Sequence, residues 1–160
     1  MFCRIMFWTS YGTQGTLSRA WMDGSNAAVL KTGLSMPLGI AIDFQDSCLY
    51  WAEYASNKLQ SSDFHGQNVK TILELPDGSN PVGIGVLGRR IYWTEMGKKR
   101  LQSSTKSGKD IRLLHEGTDW LHRLAVVPRR DVPTNRANDC ENRNCSNVCV
   151  LTPTFYRCLD

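Results

Sequence analysis

Four of the six cysteines, Cys140, Cys145, Cys149 and Cys158, crowd the C-terminal end of this 160-residue chain with the spacing C-x4-C-x3-C-x8-C. Thiols this close either pair as disulfides or hold a metal. Zinc sites favour C-x2-C knuckles, which are missing, so the spacing reads as a disulfide framework made in an oxidising compartment. Four cysteines allow three pairings, and the spacing leaves all three open. Cys3 and Cys48 stand alone. The triplet Asn144-Cys145-Ser146 is a formal glycosylation sequon at Asn144. Other chemistry is hard to assemble. His65, His115 and His122 share no spacing to a carboxylate, and there is no nucleophile elbow, phosphate-binding glycine loop or zinc-protease helix. No catalytic residue, cofactor or metal is therefore expected, and the chain reads as a binding protein.

The bulk numbers agree with a globular, non-nucleic-acid-binding chain. It is 41% hydrophobic and 21% charged, with a net charge of +4 that is spread rather than blocked. The tightest basic groups, Lys98-Lys99-Arg100 and Arg129-Arg130, are of the size found in solvated turns. The N-terminus, MFCRIMFWTS, lacks the apolar run and cleavage-like site of a signal peptide, and no run is long enough for a membrane helix. A secreted-type cysteine pattern without either is expected of a piece of a longer protein.

The elements that must position these residues come from an internal repeat. MFWTSYG at 6–12, LYWAEYA at 49–55 and IYWTEMG at 91–97 align, with Trp8, Trp51 and Trp93 43 and 42 residues apart. Leu17, Leu59 and Leu101 recur every 42 positions, as do Gly24, Gly66 and Gly108. Between the copies lie PLGIAID at 37–43 and PVGIGVL at 81–87, with a degenerate version, HRLAVVP, at 122–128. The second copy parses into four strands at 39–43, 48–53, 58–64 and 69–74, bounded by Gly, Pro, Asn and Asp turns. The first two are apolar at nearly every position, as strands covered on both faces are; the fourth mixes in charge, as an outer edge does. A repeat of this length with four strands is the propeller pattern, and about eleven strands are expected. Gly39 and Gly83 start the innermost strands, where backbones crowd. Trp8, Trp51 and Trp93 are expected in the blade cores, whereas Trp21 and Trp120 break the pattern and are the candidates for an exposed contact.

These strings resemble the YWTD repeat, the class B repeat of low-density-lipoprotein receptors. FWTS, YWAE and YWTE stand for the signature, LSRAWMDG, LQSSDFHG and LQSSTKSG for the third strand and its turn, and PLGIAID and PVGIGVL for the inner strand. The resemblance covers roughly residues 5–128 and implies an all-β fold, a partial six-bladed propeller of about three repeats. It also implies that the signature carboxylate ties blades together by hydrogen bonds to backbone. That aspartate is replaced by Ser10, Glu53 and Glu95. Glu reaches with one more methylene, whereas Ser10 carries no charge, so the tie is in doubt at the first copy. The array is expected to open on a blade's second strand and to end on a lone inner strand at 122–127.

The terminal cysteines look like the first four of an EGF-like module, of the form that follows YWTD propellers; Leu151 and Tyr156 match that form. The resemblance implies the pairs Cys140–Cys149 and Cys145–Cys158. It assigns no partner to Cys3 or Cys48, which lie near equivalent strands of adjacent blades, so that a mutual bond is the alternative to two free thiols. A lone Asp139 before the first cysteine is short of the acidic run of calcium-binding modules. The organisation expected is a partial propeller at 1–128, a linker at 129–138 and a truncated EGF-like module at 139–160. By resemblance the parent is an endocytic cell-surface receptor whose propeller is a protein-binding and ligand-release platform on the extracellular side of the plasma membrane. Its partners would be extracellular protein ligands or other modules of the parent, with membrane contact only through the parent chain. A matrix or Wnt co-receptor type of adhesion or signalling propeller is the alternative, and a six-bladed hydrolase a more distant one. Apolar positions such as Ile40, Ile42, Ile84 and Val86 are expected on cut blade faces, favouring self-association.

Overall fold

In the computed structural model the described residues are 5–127, 148–151 and 156–159, the last two stretches by their backbone alone. Thirteen strands and no helix are found among them. The first blade holds β1 (Ile5–Ser10), β2 (Gly15–Trp21) and β3 (Ala28–Leu34). The second holds β4 (Pro37–Asp43), β5 (Cys48–Glu53), β6 (Lys58–Asp63) and β7 (Lys70–Glu74). The third holds β8 (Pro81–Leu87), β9 (Arg90–Glu95), β10 (Arg100–Thr105) and β11 (Arg112–Glu116). Each is an antiparallel meander in chain order, and β12 (Val148–Leu151) pairs with β13 (Tyr156–Leu159) in a separate hairpin.

The 42-residue period is a period of geometry as well as of residue type. β4 pairs with β5 so that Ile40 faces Trp51, and β8 with β9 so that Ile84 faces Trp93. Both inner strands carry a bulge, between Pro37 and Ile40 and between Pro81 and Ile84. The turns between third and fourth strands place Gly24, Gly66 and Gly108 at φ of 82, 73 and 78°, the left-handed region a tight hairpin needs. The core fills the joints between blades. Leu17, Leu34, Leu49 and Trp51 form one cluster with Phe7, Ile40 and Ile42 packed on it; Tyr50, Ala52, Leu59, Ile84, Ile91 and Trp93 form the next, with Val86 against it.

Three expectations are corrected. Ile40, Ile42, Ile84 and Val86 lie inside these joints and not on cut faces. Trp8 is 37% exposed while Trp51 and Trp93 are fully buried, because no strand among the described residues lies on the inner side of β1. Residues 122–127 lie against β8 but form no strand, since no described strand pairs with them.

Candidate binding face

The two signature glutamates are interior. Positions i and i+2 of a strand share a face, so the Trp51 indole N–H donates to Glu53 Oε1 at 3.1 Å and the Trp93 indole to Glu95 Oε1 at 2.9 Å. Glu53 Oε2 also accepts from the backbone N–H of Ser35, at 2.9 Å, and from the Ser56 hydroxyl, at 3.0 Å. Ser35 lies in the connector from β3 to β4, so this carboxylate ties the first blade to the second. Ser10, at the corresponding place in the first copy, meets only the Thr16 hydroxyl among the described residues, at 2.6 Å, in solvent. These carboxylates hold the scaffold and do not converge on an axial metal; no cluster that could hold a metal ion occurs among the described residues.

A second interblade tie escaped the sequence reading. The threonine of the signature donates to the carbonyl of the next inner segment, Thr9 to Leu38 at 3.2 Å and Thr94 to His122 at 3.0 Å. Thr94 Oγ1 also accepts from the N–H of Gly83, at 2.9 Å, which the bulge leaves without a ladder partner. The signal was present as the recurring third letter of the signature, and it fails at Ala52.

Loops after the second strands and connectors between blades share one end of the array. Tyr54 N bonds Met36 O, and Met96 N bonds Asn80 O, each at 3.0 Å; Gly117 N bonds Lys99 O at 3.1 Å. Met36, Asn80 and Trp120 are equivalent connector positions. Trp120 is 62% exposed, Tyr11 68% and Met36 38%. Tyr11 also lines a concave cleft of about 510 Å³ formed by the inner segments, with Thr9, Leu38, Val82, His122 and Arg123 among its other walls; Met36 and Trp120 immediately precede the inner segments that form it. Exposed aromatic and methionine side chains are the types enriched at protein–protein interfaces. Trp120, a candidate from the sequence, is exposed in the connector that leads into this segment; Tyr11 and Met36 were not singled out.

The opposite end is held by charge and aromatic packing. The Lys106 ammonium, in the β10–β11 turn, pairs with Asp43 and, at 2.7 Å, with Asp46 in the β4–β5 turn. Burial alone would lower the Lys106 pKa; the two carboxylates outweigh it and hold it above its ordinary value. Burial pushes the neighbouring Tyr50 phenol up to about 12. Burial, with Asp43 and Asp46, also raises the Cys48 thiol. Cys48 is a free thiol whose S–H donates to Asp46 O at 3.3 Å. Arg19 Nη1 reaches Phe64 O and His65 Nδ1, each at 3.2 Å, joining the first blade to the second beneath the Phe7–Phe64 ring pair. Trp21, the other candidate tryptophan, lines a smaller cleft here of about 450 Å³ with Ile5, Arg19 and His65. The three histidines are thus dispersed: His65 on Arg19, His122 at the axial cleft and His115 on β11.

No family model matches the chain. It is 30% identical over 150 residues to the vitellogenin receptor Yl of Drosophila melanogaster, across 92% of this chain and 7% of that protein. It is 31% identical over 153 residues to human low-density lipoprotein receptor-related protein 5, across 92% of this chain and 9% of that one. Among solved structures, a nidogen/laminin complex superposes with a TM-score of 0.70 at 19% identity, covering 77% of this chain and 48% of that one. The chain is a run of YWTD repeats of the low-density-lipoprotein-receptor-related kind. It spans less than a tenth of the length of either curated relative. A virginiamycin B lyase from Staphylococcus aureus also superposes, with a TM-score of 0.57 at 21% identity, over 69% of this chain and 38% of that one. At such identities the two superpositions show the fold alone, and the fold is part of a six-bladed YWTD propeller.

The cysteine framework of the YWTD chain is only partly within reach. Cys140, Cys145 and the sequon at Asn144 lie outside the described residues, as does Cys3. The backbone register of the terminal hairpin sets Cys149 opposite Cys158. The pairings Cys140–Cys149 and Cys145–Cys158, the linker at 129–138 and the EGF-like module at 139–160 accordingly enter below as proposals.

Proposed function

We propose that this chain is part of the extracellular portion of an endocytic receptor, and that the propeller end carrying Tyr11, Met36 and Trp120 binds protein ligands and takes part in their release. The observation that carries the reading is the exposure of Tyr11, Met36 and Trp120 at equivalent loops and connectors, Tyr11 lining the cleft between the inner segments, on a scaffold whose curated relatives are named as a receptor and a receptor-related protein. Large aromatics at a rim that the fold does not need for its core are the residue types that dominate protein–protein binding energy. The reading makes the chain a binder and not an enzyme. Its buried glutamates serve tryptophan N–H groups and backbone, and its cleft brings together no acid–base pair or nucleophile with a base. An EGF-like module at 139–160 with pairs Cys140–Cys149 and Cys145–Cys158, and a glycan at Asn144, belong to the same reading and place the chain on the extracellular side.

The test uses the chain secreted from an oxidising host, immobilised and probed with purified vitellogenin and, separately, laminin. Half a ring presents half a surface, so weak binding is expected, with Kd of order micromolar or weaker. Trp120→Ala and Tyr11→Ala should each weaken the vitellogenin response by about tenfold, while Trp21→Ala at the opposite end leaves it unchanged. Binding that answers to Trp21 and not to Trp120 would move the site to the other end. Binding to laminin alone would favour the matrix type of propeller.

A further inference from the structure

We propose that the cleft between the first and second blades, lined by Ile5, Arg19, Trp21, Asn26 and His65, is a binding site for a carboxylate carried on an aromatic or aliphatic group. The cleft measures about 450 Å³, a size that suits a small ligand or one or two side chains. It lies at the end opposite Tyr11 and Trp120, and it does not rest on the reading given for that end.

Arg19 supplies the charge. It is half-buried, and its Nη1 donates to Phe64 O and to His65 Nδ1, each at 3.2 Å. A guanidinium cannot accept, so His65 accepts through Nδ1 and its neutral ring carries the proton on Nε2, a second donor in the lining. Both bonds hold Arg19 by one nitrogen; its Nε and Nη2 meet no acceptor among the described residues, and it has no ion pair among them. The acids of the two flanking turns are engaged within those turns. Asp23 Oδ1 takes the N–H and the hydroxyl of Ser25. Asp63 takes the N–H groups of His65 and Gln67 and the side-chain amide of Asn68. A fixed, half-buried cation without a counter-ion is prepared for an anion from outside the chain.

The third blade shows which anion fits. With the copies aligned on their tryptophans, leucines and turn glycines, Ile5, Arg19 and Asn26 correspond to Arg90, Ser103 and Asp110. In the third blade these three positions bond to one another. Arg90 Nε and Nη2 donate to the Ser103 hydroxyl at 3.3 and 3.0 Å, and Arg90 Nη1 pairs with Asp110 Oδ2 at 2.7 Å. The first blade carries its guanidinium on the second of the positions and has a neutral amide, Asn26, at the third. Asn26 and Asp110 both stand at φ of 51° in their turns, so the backbone is the same and only the charge differs. The second blade has Cys48, Ser61 and Asn68 at these places and no cation. A carboxylate is thus the group that the fold itself sets beside a guanidinium here, and the planar fork takes it with two parallel bonds. Trp21 lies two residues beyond Arg19 on one face of β2, and Ile5 is its cross-strand partner. This apolar wall beside the cation favours a carboxylate attached to a ring or a branched chain over a bare inorganic anion.

The experiment titrates the 160-residue chain with 3-phenylpropionate and follows the indole N–H resonance of Trp21, assigned by its loss in Trp21→Phe. A Kd of order 0.1–1 mM is expected, with the neutral isostere 3-phenylpropionamide and inorganic sulfate at least tenfold weaker. Asn26→Asp restores the carboxylate that Asp110 provides, at a backbone angle aspartate already adopts in the third blade, so the chain keeps its fold. It should fill the site from within and weaken 3-phenylpropionate at least tenfold. Arg19→Gln should weaken it as much. Acetyl-glycyl-phenylalanine distinguishes the source: tighter binding than the free acid supports a peptide terminus, weaker binding a small carboxylate. Equal binding of acid and amide, a Trp21 resonance unmoved at about 10 mM acid, or an affinity unchanged in Asn26→Asp would each overturn the proposal.

Discussion

At the residue scale the signature letters divide into those that make core and those that make joints. Trp51 and Trp93 fill core, and their indole N–H groups need acceptors once buried. Glu53 supplies one and also takes the Ser35 N–H. Glu53→Ala therefore strands three donors, from Trp51, Ser35 and Ser56, at about 1–3 kcal/mol for the buried indole. A total loss of roughly 3 kcal/mol in urea unfolding is expected, against less than about 0.5 kcal/mol for Ser10→Ala in solvent. An equal effect at both positions would contradict this assignment. The same scale sets an alkaline limit. The pKa values of Lys106 and Tyr50 are raised above their ordinary 10.5 and 10.0, the latter to about 12. The folded state then holds protons that the unfolded state releases; because the Cys48 thiol is also raised above its ordinary 9.0, stability is full below about pH 9 and falls as pH rises through 9–12. Urea midpoints from pH 8 to pH 11.5 should fall on the alkaline side, and Lys106→Met should remove part of the slope. What the sequence showed at this scale was the letters' recurrence. It did not show their partners, because Ser35, Leu38 and His122 reach them from neighbouring segments.

At the element scale, strand positions followed directly from period, turn residues and apolar runs: the four strands read in the second copy match β4–β7 within two residues at each end. The segment at 122–127 did not follow, because apolar pattern specifies a strand only when a partner supplies its ladder. Trp8 misled for the same reason. The close approach of inner segments was legible from glycine alone. A Cβ on Gly83 would lie 2.7 Å from Leu124 N, 2.8 Å from Thr94 Oγ1 and 3.0 Å from His122 O. Two of these are backbone atoms and cannot step aside, so Gly83→Ala should separate the third blade from the inner segment beyond it. A loss of about 2–3 kcal/mol is expected, comparable to other overpacked sites. Thr94→Val keeps the shape and deletes the hydroxyl, leaving the Gly83 N–H and His122 carbonyl unpaired; about 1–3 kcal/mol should go. Ala52→Val, at the copy that never had the hydroxyl, loses no such bond. If Thr94→Val proves as stable as the parent in chemical denaturation, the bridging role is wrong.

At the scale of the molecule, stability in an array of repeats is a sum of each unit's own contribution and those of its interfaces. The blades here are unequally supplied with interfaces. β5 and β9 have a strand on each side and are almost wholly buried, and the second blade is packed between two neighbours. Among the described residues β1 has one partner, and residues 121–127 have contacts but no ladder. Outer strands β3, β7 and β11 are mostly exposed or half-buried. Amide exchange reads this directly, because an N–H exchanges through the cheapest opening that frees it. Peptides spanning Cys48–Glu53 and Arg90–Glu95 should exchange slowest, at rates set by loss of the whole array. Peptides from the outer strands should exchange faster, through fraying of a single edge. β1 and 121–127 should be faster still than their counterparts β5, β4 and β8. That contrast between equivalent positions removes sequence composition as the cause, since the copies share their apolar pattern. Uniform protection across the three copies would mean that the blades open as one unit and that interface number does not set local stability.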